Sequence, residues 1–415
     1  MARTGDEQEA AQEAAGPRDR VAAGAVVGAH TLQHLYQHGF YVILPEVYAA
    51  LSLTPIAGGA IETARRVAGG VASMGGGFVL DRFQDKRILV LYLSLLTMGL
   101  GYLLVGVAPT YVVILVAVAL ANAAGSIWHP AALSLLSQRY PHRRGFWLAL
   151  HRAAGSVGDV TGPLLVGALL TVLVWQGVLY GALPLALVFA LLLWVVLRKA
   201  PQWQATTQAP TGERRSFREQ SKALGAMLRG RSLRRLLLVG AFNGLGQGGL
   251  LVWLGIYLSE TQGMGSVGIG VHTALLTGFG IVAGPLTGML SDRVGRKPVI
   301  AGVLAAKSLI AVGMALAGSG VLLSLLVALM GTVMFGANSL IQAGALDVAD
   351  GHDLEGSMIG LLWGVNALFA GLSPLVLGVL VQGIGFAVLF WYVAAVNALA
   401  TVMALMLPRL ERRGR

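Results

Sequence analysis

His30, His34 and His38 stand four residues apart, which on a helix stacks them along one face. Imidazoles so placed can carry protons, bond a substrate or ligate a metal. One ion cannot take all three, because the outer two are about 12 Å apart. A metal site would need His34 with His38 and a ligand from elsewhere, such as His129 or Asp159; no metal site is assigned. A second group consists of ionisable residues set in apolar sequence: Glu62, Arg65 and Arg66, then His151, Arg152 and Asp159. Glu62 and Arg66 are one helical turn apart and can bond on one face. Arg65 and Arg66 point about 100° apart, so only one is expected to face a cavity. Arg152 and Asp159 share a face but lie about 10 Å apart along the axis, so each is expected to find its partner on span one or span two. A cluster of Glu62, Arg65 or Arg66, and Asp159 fits their depths.

The elements that must position these residues are membrane spans. The chain is 56% hydrophobic and 12% charged, with mean hydropathy +0.72. A soluble protein of 415 residues cannot cover its surface with so few charges, so most of this surface must face lipid. Apolar runs fall at about 22–45, 53–80, 88–107, 110–138, 144–172, 176–197, 233–259, 266–290, 298–318, 320–345, 355–382 and 384–407, each long enough to cross a bilayer. Ionisable groups inside such runs cost several kcal/mol unless paired or hydrated, and so are candidates for function.

Of 30 Lys and Arg residues, 26 fall in the two termini, the Arg198–Arg235 segment and the loops on the same side. By the positive-inside rule both termini and that linker are cytoplasmic. The net charge of +11 therefore reads as topology, and no nucleic-acid partner is expected. There is no cysteine, which excludes disulfides and thiolate chemistry. No GxxxxGK[ST], HExxH or GxSxG motif occurs, which argues against an enzyme or a nucleotide-driven pump. No cofactor is expected, and residues 1–20 do not look like a cleaved signal peptide.

The chain repeats itself at an offset of 211 residues. Gly77-Phe-Val-Leu-Asp81-Arg82 recurs as Gly288-Met-Leu-Ser-Asp292-Arg293, and Gly145, Pro163 and Gly167 recur as Gly356, Pro374 and Gly378. Each Gly-x-x-x-Asp-Arg copy closes an apolar span and opens a basic loop. Two halves of six spans with this loop after the second resemble the major facilitator superfamily. The resemblance implies an all-α membrane protein of twelve transmembrane helices in two pseudo-symmetric six-helix bundles. Its parts would be a tail at 1–21, a bundle at 22–197, the linker at 198–232, a bundle at 233–407 and a tail at 408–415. It also implies a conformational gate at Gly77, Asp81, Arg82, Gly288, Asp292 and Arg293, with each glycine admitting a neighbouring helix and each arginine pairing with an acid. In the first copy Gln84 and Asp85 replace the usual Gly-Arg.

Span five carries Gly155-x-x-Gly158-x-x-x-Gly162-Pro163. This is similar to the antiporter motif of drug–proton exchangers and adds Gly158, Gly162 and Pro163 to the gate. The span-four arginine of such exchangers is absent; Asn122, Gly125 and His129-Pro130 stand in its neighbourhood. His30-x-x-x-His34, Leu44-Pro45-Glu46, Trp128-His129-Pro130 and Arg143-Arg144-Gly145 together resemble the fosmidomycin-resistance-like branch. That branch is viewed as exporters, and its named substrate is a phosphonate anion.

The repeat isolates what the fold itself does not need. Glu62, Arg65 and Arg66 map onto Thr273, Leu276 and Thr277; His151, Arg152 and Asp159 map onto Leu362, Trp363 and Ala370. In-span bases exceed acids by two: Arg65, Arg66, Arg152 and Lys307 against Glu62 and Asp159. The reading is a proton-coupled antiporter exporting a small organic anion or amphipathic drug-like compound. The alternatives are a divalent-metal exporter using the span-one histidines and a non-transporting receptor or scaffold. Expected substrate contacts are Arg66, Arg65, Arg152, His34, His38, His129, His151, Asn243, Gln247, Trp363 and Asn366. Expected proton-coupling groups are Asp159, Glu62 and His34, since burial favours a neutral acid and a nearby base its charged form. Lys307 reads as snorkelling toward headgroups. The acidic segment Asp347, Asp350, Asp353 and Glu355 is either solvated or faces the motif loop of the other half. Expected partners are the substrate, protons and the lipid bilayer around a monomer in the bacterial inner or plasma membrane.

Overall fold

A computed structural model describes residues 16–82, 86–108, 110–140, 142–200, 203, 225, 228–349 and 355–408, with side chains left aside at 76–82, 281, 346, 348–349, 355–360 and 363. Twelve long helices follow in order: α1 Pro17–Ala50, α2 Pro55–Arg82, α3 Arg87–Gly106, α4 Tyr111–Arg139, α5 Arg144–Leu169, α6 Trp175–Arg198, α7 Arg231–Glu260, α8 Ser266–Val294, α9 Arg296–Ala317, α10 Val321–Ala349, α11 Glu355–Ile384 and α12 Val388–Leu405. α6 is broken at Gly181 and α8 at Phe279. Local signals set several ends. Pro17 opens α1, Thr110 caps α4 by accepting from the Val113 amide, and Gly295, at φ 97°, separates α8 from α9. Only glycine adopts that conformation at little cost.

Nine of the twelve are long and apolar enough to span a bilayer among the described residues. The other three are α1, α2 and α5, the helices that carry His30, His34, His38 and His151 and most of the in-span charge. Their polar residues turn inward, which lowers their mean hydropathy without placing charge in lipid.

The halves meet through α2 against α11 and α5 against α8. Under the 211-residue repeat these pairs exchange. At the end away from the termini the packing is close. Gly59 lies against the Pro374 carbonyl, Gly378 against Pro55, Gly270 against the Pro163 carbonyl and Gly167 against Ser266. Ser266 Oγ also donates to the Gly167 carbonyl (3.0 Å). Small residues permit this backbone approach. Toward the termini the halves enclose a cavity of about 770 Å³.

Candidate substrate cavity and its polar clusters

Both halves line the cavity. α2, α4 and α5 contribute Arg66, Ser73, Met74, Pro130 and Arg152, and α7, α10 and α11 contribute Gly240, Asn338, Gln342 and Asn366. Arg152 is exposed in it, and its side chain makes no ion pair among the described residues. No carboxylate lines the cavity among those residues. The electrostatic character is therefore cationic, with amides on the facing wall.

Arg66 is held from behind. Its Nε donates to Glu62 Oε1 (2.7 Å) and a terminal nitrogen donates to the Tyr41 hydroxyl (2.9 Å). Arg65 turns the other way, with Nε 2.5 Å from Glu62 Oε2, and is buried. It donates to Tyr41 (2.7 Å) and to Asn122 (3.4 Å). Asn122 in turn donates to the Arg65 carbonyl (2.8 Å). Glu62 is 0% exposed, so one carboxylate serves two guanidiniums. Tyr41, which sequence reasoning missed, completes this group. An aromatic in an apolar span gave no signal of it.

Asp159 does not join that cluster. His34 Nδ1 lies 2.5 Å and His38 Nδ1 2.7 Å from its Oδ1. The expected association of Asp159 with Glu62 and an arginine is therefore corrected: the partners are on α1. The reason is local. Gly158 and Gly162 bring α5 onto the α1 backbone at Thr31 and Leu35, which sets Asp159 beside the histidine face. Pro163 is buried inside α5, and its carbonyl meets Gly270 of α8.

His30, His129 and His151 form a neighbouring group. His30 Nδ1 donates to the His151 carbonyl (2.7 Å), and the two rings stack at 3.7 Å. Gly155 leaves room for His30. Gln33, also missed from sequence, bonds the Gly125 carbonyl and lies 3.3 Å from His129 Nε2. None of His34, His38, His129 and His151 lines the cavity; the expectation that they bind substrate directly is corrected in that respect.

In the C-terminal half Asn366 lines the cavity and donates to the Gly240 carbonyl (3.0 Å). Asn243 and Gln247 are buried behind Asn338 rather than in the wall. The chain runs Lys307 Nζ to Asn243 (2.6 Å), Asn243 to Asn338 (2.6 Å) and Asn338 to Gln247 (2.8 Å). Lys307 is 1% exposed and does not snorkel. Its helix packs against α10 and α12, and hydropathy alone does not reveal that such a span turns a lysine inward. Trp363 lies outside the residues whose side chains are described.

At the second motif copy the central residue is Arg296, the first residue of α9. It pairs with Asp292 (2.7 Å) and Asp347 (3.1 Å) and donates to Ser291. Arg293 is exposed and makes no ion pair among the described residues, so the pairing role expected for it belongs to Arg296. Gly288 has open space, among the described residues, where a Cβ would stand. Asp347 serves the motif loop of its own half through Arg296. Asp350, Asp353 and Glu355, and the first copy with Gly77, Asp81 and Arg82, lie outside the residues whose side chains are described.

Two bundles exchanging equivalent helices around one central cavity make the architecture of an alternating-access carrier. The sequence signature of the Major Facilitator Superfamily matches residues 26–372. The chain belongs to this superfamily. The chain is 26% identical over 267 residues to a Haemophilus influenzae protein named for metabolite transport, over 62% of this chain and 63% of that protein. It is 32% identical over 148 residues to the puromycin resistance protein of Streptomyces alboniger, over 35% of this chain and 29% of that protein. Each match thus spans less than two thirds of the relative. Over 80% of both chains it is 23% identical to an MFS-type transporter of Bacillus subtilis. Solved structures share its fold. A bacterial homologue of the human lysosomal transporter Spinster, inward-facing and unoccupied, superposes with TM-score 0.74 at 15% identity, over 94% of this chain and 95% of that one. A mutant of the nucleoside transporter NupG gives 0.74 at 13%, over 93% and 99%.

Proposed function

We propose that this transporter is a proton-coupled antiporter that exports a small organic anion or anionic amphipath by alternating access. Arg152 carries the reading: an arginine without an ion-pair partner among the described residues opens into a cavity that holds Arg66 and no described carboxylate. A charge so placed is stabilised by a ligand of opposite sign. Asn338, Gln342 and Asn366 face it from the other half and would bond the polar remainder of the substrate. Gly158, Gly162 and Pro163 then act as the packing hinge of α5, and Arg296 with Asp292 and Asp347 as the latch. Asp159 is the coupling acid, with Glu62 fixed in its arginine pair. The Lys and Arg distribution supports a cytoplasmic position for both termini, and so for the open end of the cavity, where an exporter loads. The resemblance of the N-terminal half to the fosmidomycin-resistance-like branch and the relative named for puromycin resistance fit export. Metal export is not favoured, because the histidines stand away from the cavity wall.

A thermal-shift screen of purified protein against organic phosphates, phosphonates, carboxylates, amines and neutral drugs tests this. Anions should stabilise the wild type. Arg152→Ala should weaken the best anion by about 1.5–3 kcal/mol, the worth of a charge-assisted hydrogen bond. Binding of neutral or cationic compounds that survives both Arg152→Ala and Arg66→Ala refutes anion recognition.

A further inference from the structure

Lys307 and Asn243 are fully buried, and the ammonium makes no ion pair among the described residues. Its hydrogen bond among those residues is to the Asn243 amide oxygen (2.6 Å). A buried cation that faces only a neutral amide is an expensive arrangement, and the fold does not ask for it. Under the 211-residue repeat Lys307, Asn243, Asn338 and Gln247 fall on Leu96, Leu32, Ile127 and Tyr36. The chain of one lysine and three amides is thus an addition to the C-terminal half alone. It runs from α9 through α7 to Asn338 of α10, which stands in the cavity wall.

The lysine sets the direction of this chain. An ammonium has three N–H donors and no acceptor, so Asn243 must turn its oxygen toward it. That leaves Asn243 only its NH2 for the next contact, and Asn338 receives it on Oδ1 (2.6 Å). Asn338 must then face its other neighbours with NH2. One hydrogen goes to Gln247 Oε1 (2.8 Å). The other has no partner among the described residues, on a side chain that lines the cavity. Without the ammonium the amides are free to turn over, because a carboxamide carries its oxygen and its NH2 on two arms of nearly equal size. Asn338 would then offer the cavity an oxygen as readily as an N–H. Asn366 stands outside this control, since its NH2 is spent on the Gly240 carbonyl.

We propose that Lys307 is a positioning residue of the cavity: acting through Asn243, it holds the Asn338 amide with an N–H toward the substrate. The wall that faces Arg66 and Arg152 then favours a ligand oxygen over a ligand N–H at that point. The ammonium does not itself meet the substrate, because Asn243 and Asn338 stand between them. The inference rests on the anion reading of the cavity for the sign of the ligand. The order of donors along the amides stands without it.

The test uses full-length protein in detergent, with phenyl phosphate and benzoate as probes titrated by calorimetry. Lys307→Met should weaken each by about tenfold or more, the least that a hydrogen bond to a charged group is worth. Asn338→Leu should do the same. The double variant should bind no worse than Asn338→Leu, because the lysine has no other route to the ligand. Wild-type affinity in Lys307→Met overturns the inference. So does a double variant that multiplies the two losses, since the charge would then act directly through its field. Arg152→Ala keeps the two readings apart: probes weakened by it but indifferent to Lys307→Met leave anion recognition standing and remove the relay. If neither probe binds the wild type, the cavity is not a general anion site, and thermal unfolding decides on the relay. The fall in melting temperature caused by Asn338→Leu should be roughly halved in the Lys307→Met background, where Asn243 is free to turn to another partner; equal falls overturn it. If Lys307→Met does not fold, Lys307→Gln, which can accept as well as donate, takes its place throughout.

Discussion

Gly59 of α2 rests against the backbone carbonyl of Pro374 in α11, and no side-chain carbon would fit between them. The repeat reproduces this contact. Gly270 stands 211 residues after Gly59, and it rests against Pro163, which stands 211 residues before Pro374. The seal away from the termini is therefore twofold, and each half supplies one glycine and one carbonyl. A side chain at either glycine must push the halves apart. Gly59→Val and Gly270→Val should disfavour the state closed at that end by about 1–3 kcal/mol, the usual cost of overpacking, and so shift its population roughly tenfold. The chain has no cysteine, so spin labels can be placed at Thr54 and Gln382 without background. Distances unchanged by either substitution would show that the seal yields elsewhere.

The repeat made the element order legible, and the helices begin and end within a few residues of the apolar runs. It also made the cross-half contacts intelligible, because glycines and prolines kept at equivalent positions are the ones that touch. Partners across helices were much less legible. Sequence spacing fixed Glu62 with Arg66, one turn apart on a single helix. It could not fix Asp159 with His34 and His38, because that depends on how α5 is rotated against α1. Lys307 failed for the same reason: a lone cation in an apolar span looks alike whether it faces lipid or a buried amide. The motif arginine was misjudged by three residues. Arg293 continues α8 into solvent, whereas Arg296 begins α9 and is carried inward by the turn at Gly295.

The ion pairs at the second motif copy make Arg296 and Arg293 separable. Arg296→Ala leaves Asp347 and Asp292 without their shared cation. It should slow transport several-fold while expression stays near the wild type, because the contact biases the equilibrium between states more than it holds the fold. Arg293→Ala should transport normally. Equal loss in both variants would assign the effect to loop charge in general, which raised ionic strength would mimic.

Lys307 and Asn243 should respond unequally to substitution. Lys307→Met removes a buried charge and keeps its volume, and such replacements are often neutral or stabilising. Asn243→Leu instead leaves the ammonium without its acceptor, a change worth about 3–5 kcal/mol where a buried charge loses its partner. Thermal unfolding in detergent should therefore show Asn243→Leu well below the wild type and Lys307→Met at or above it. The double variant should recover most of the loss. A Lys307→Met protein as unstable as Asn243→Leu would mean that the lysine makes further contacts that matter.

Coupling is the sharpest question, and Asp159 is the place to ask it. Exchange of substrate for protons needs a group whose protonation competes with the substrate's presence. Glu62 is poorly placed for this. Both of its oxygens face guanidiniums, and protonating it would strand Arg65 inside the bundle. Asp159 has a different environment. Its Oδ1 meets two imidazoles, His34 and His38. The three groups can hold a variable number of protons without leaving a buried charge unpaired. The carbonyl of the same residue accepts from Thr277 of α8 (2.9 Å), in the other half of the protein. Reorganisation around Asp159 is therefore linked to the α5–α8 contact that must open and close during transport. Asp159→Asn should abolish proton-driven accumulation in proteoliposomes, retain substrate binding and flatten its pH dependence. His34→Gln should weaken coupling partially, since His38 still faces the carboxylate. Proton-driven transport at the wild-type rate in Asp159→Asn would move the role to His34 or Glu62. Coupling that persists when all three are neutralised would exclude proton antiport through the N-terminal half.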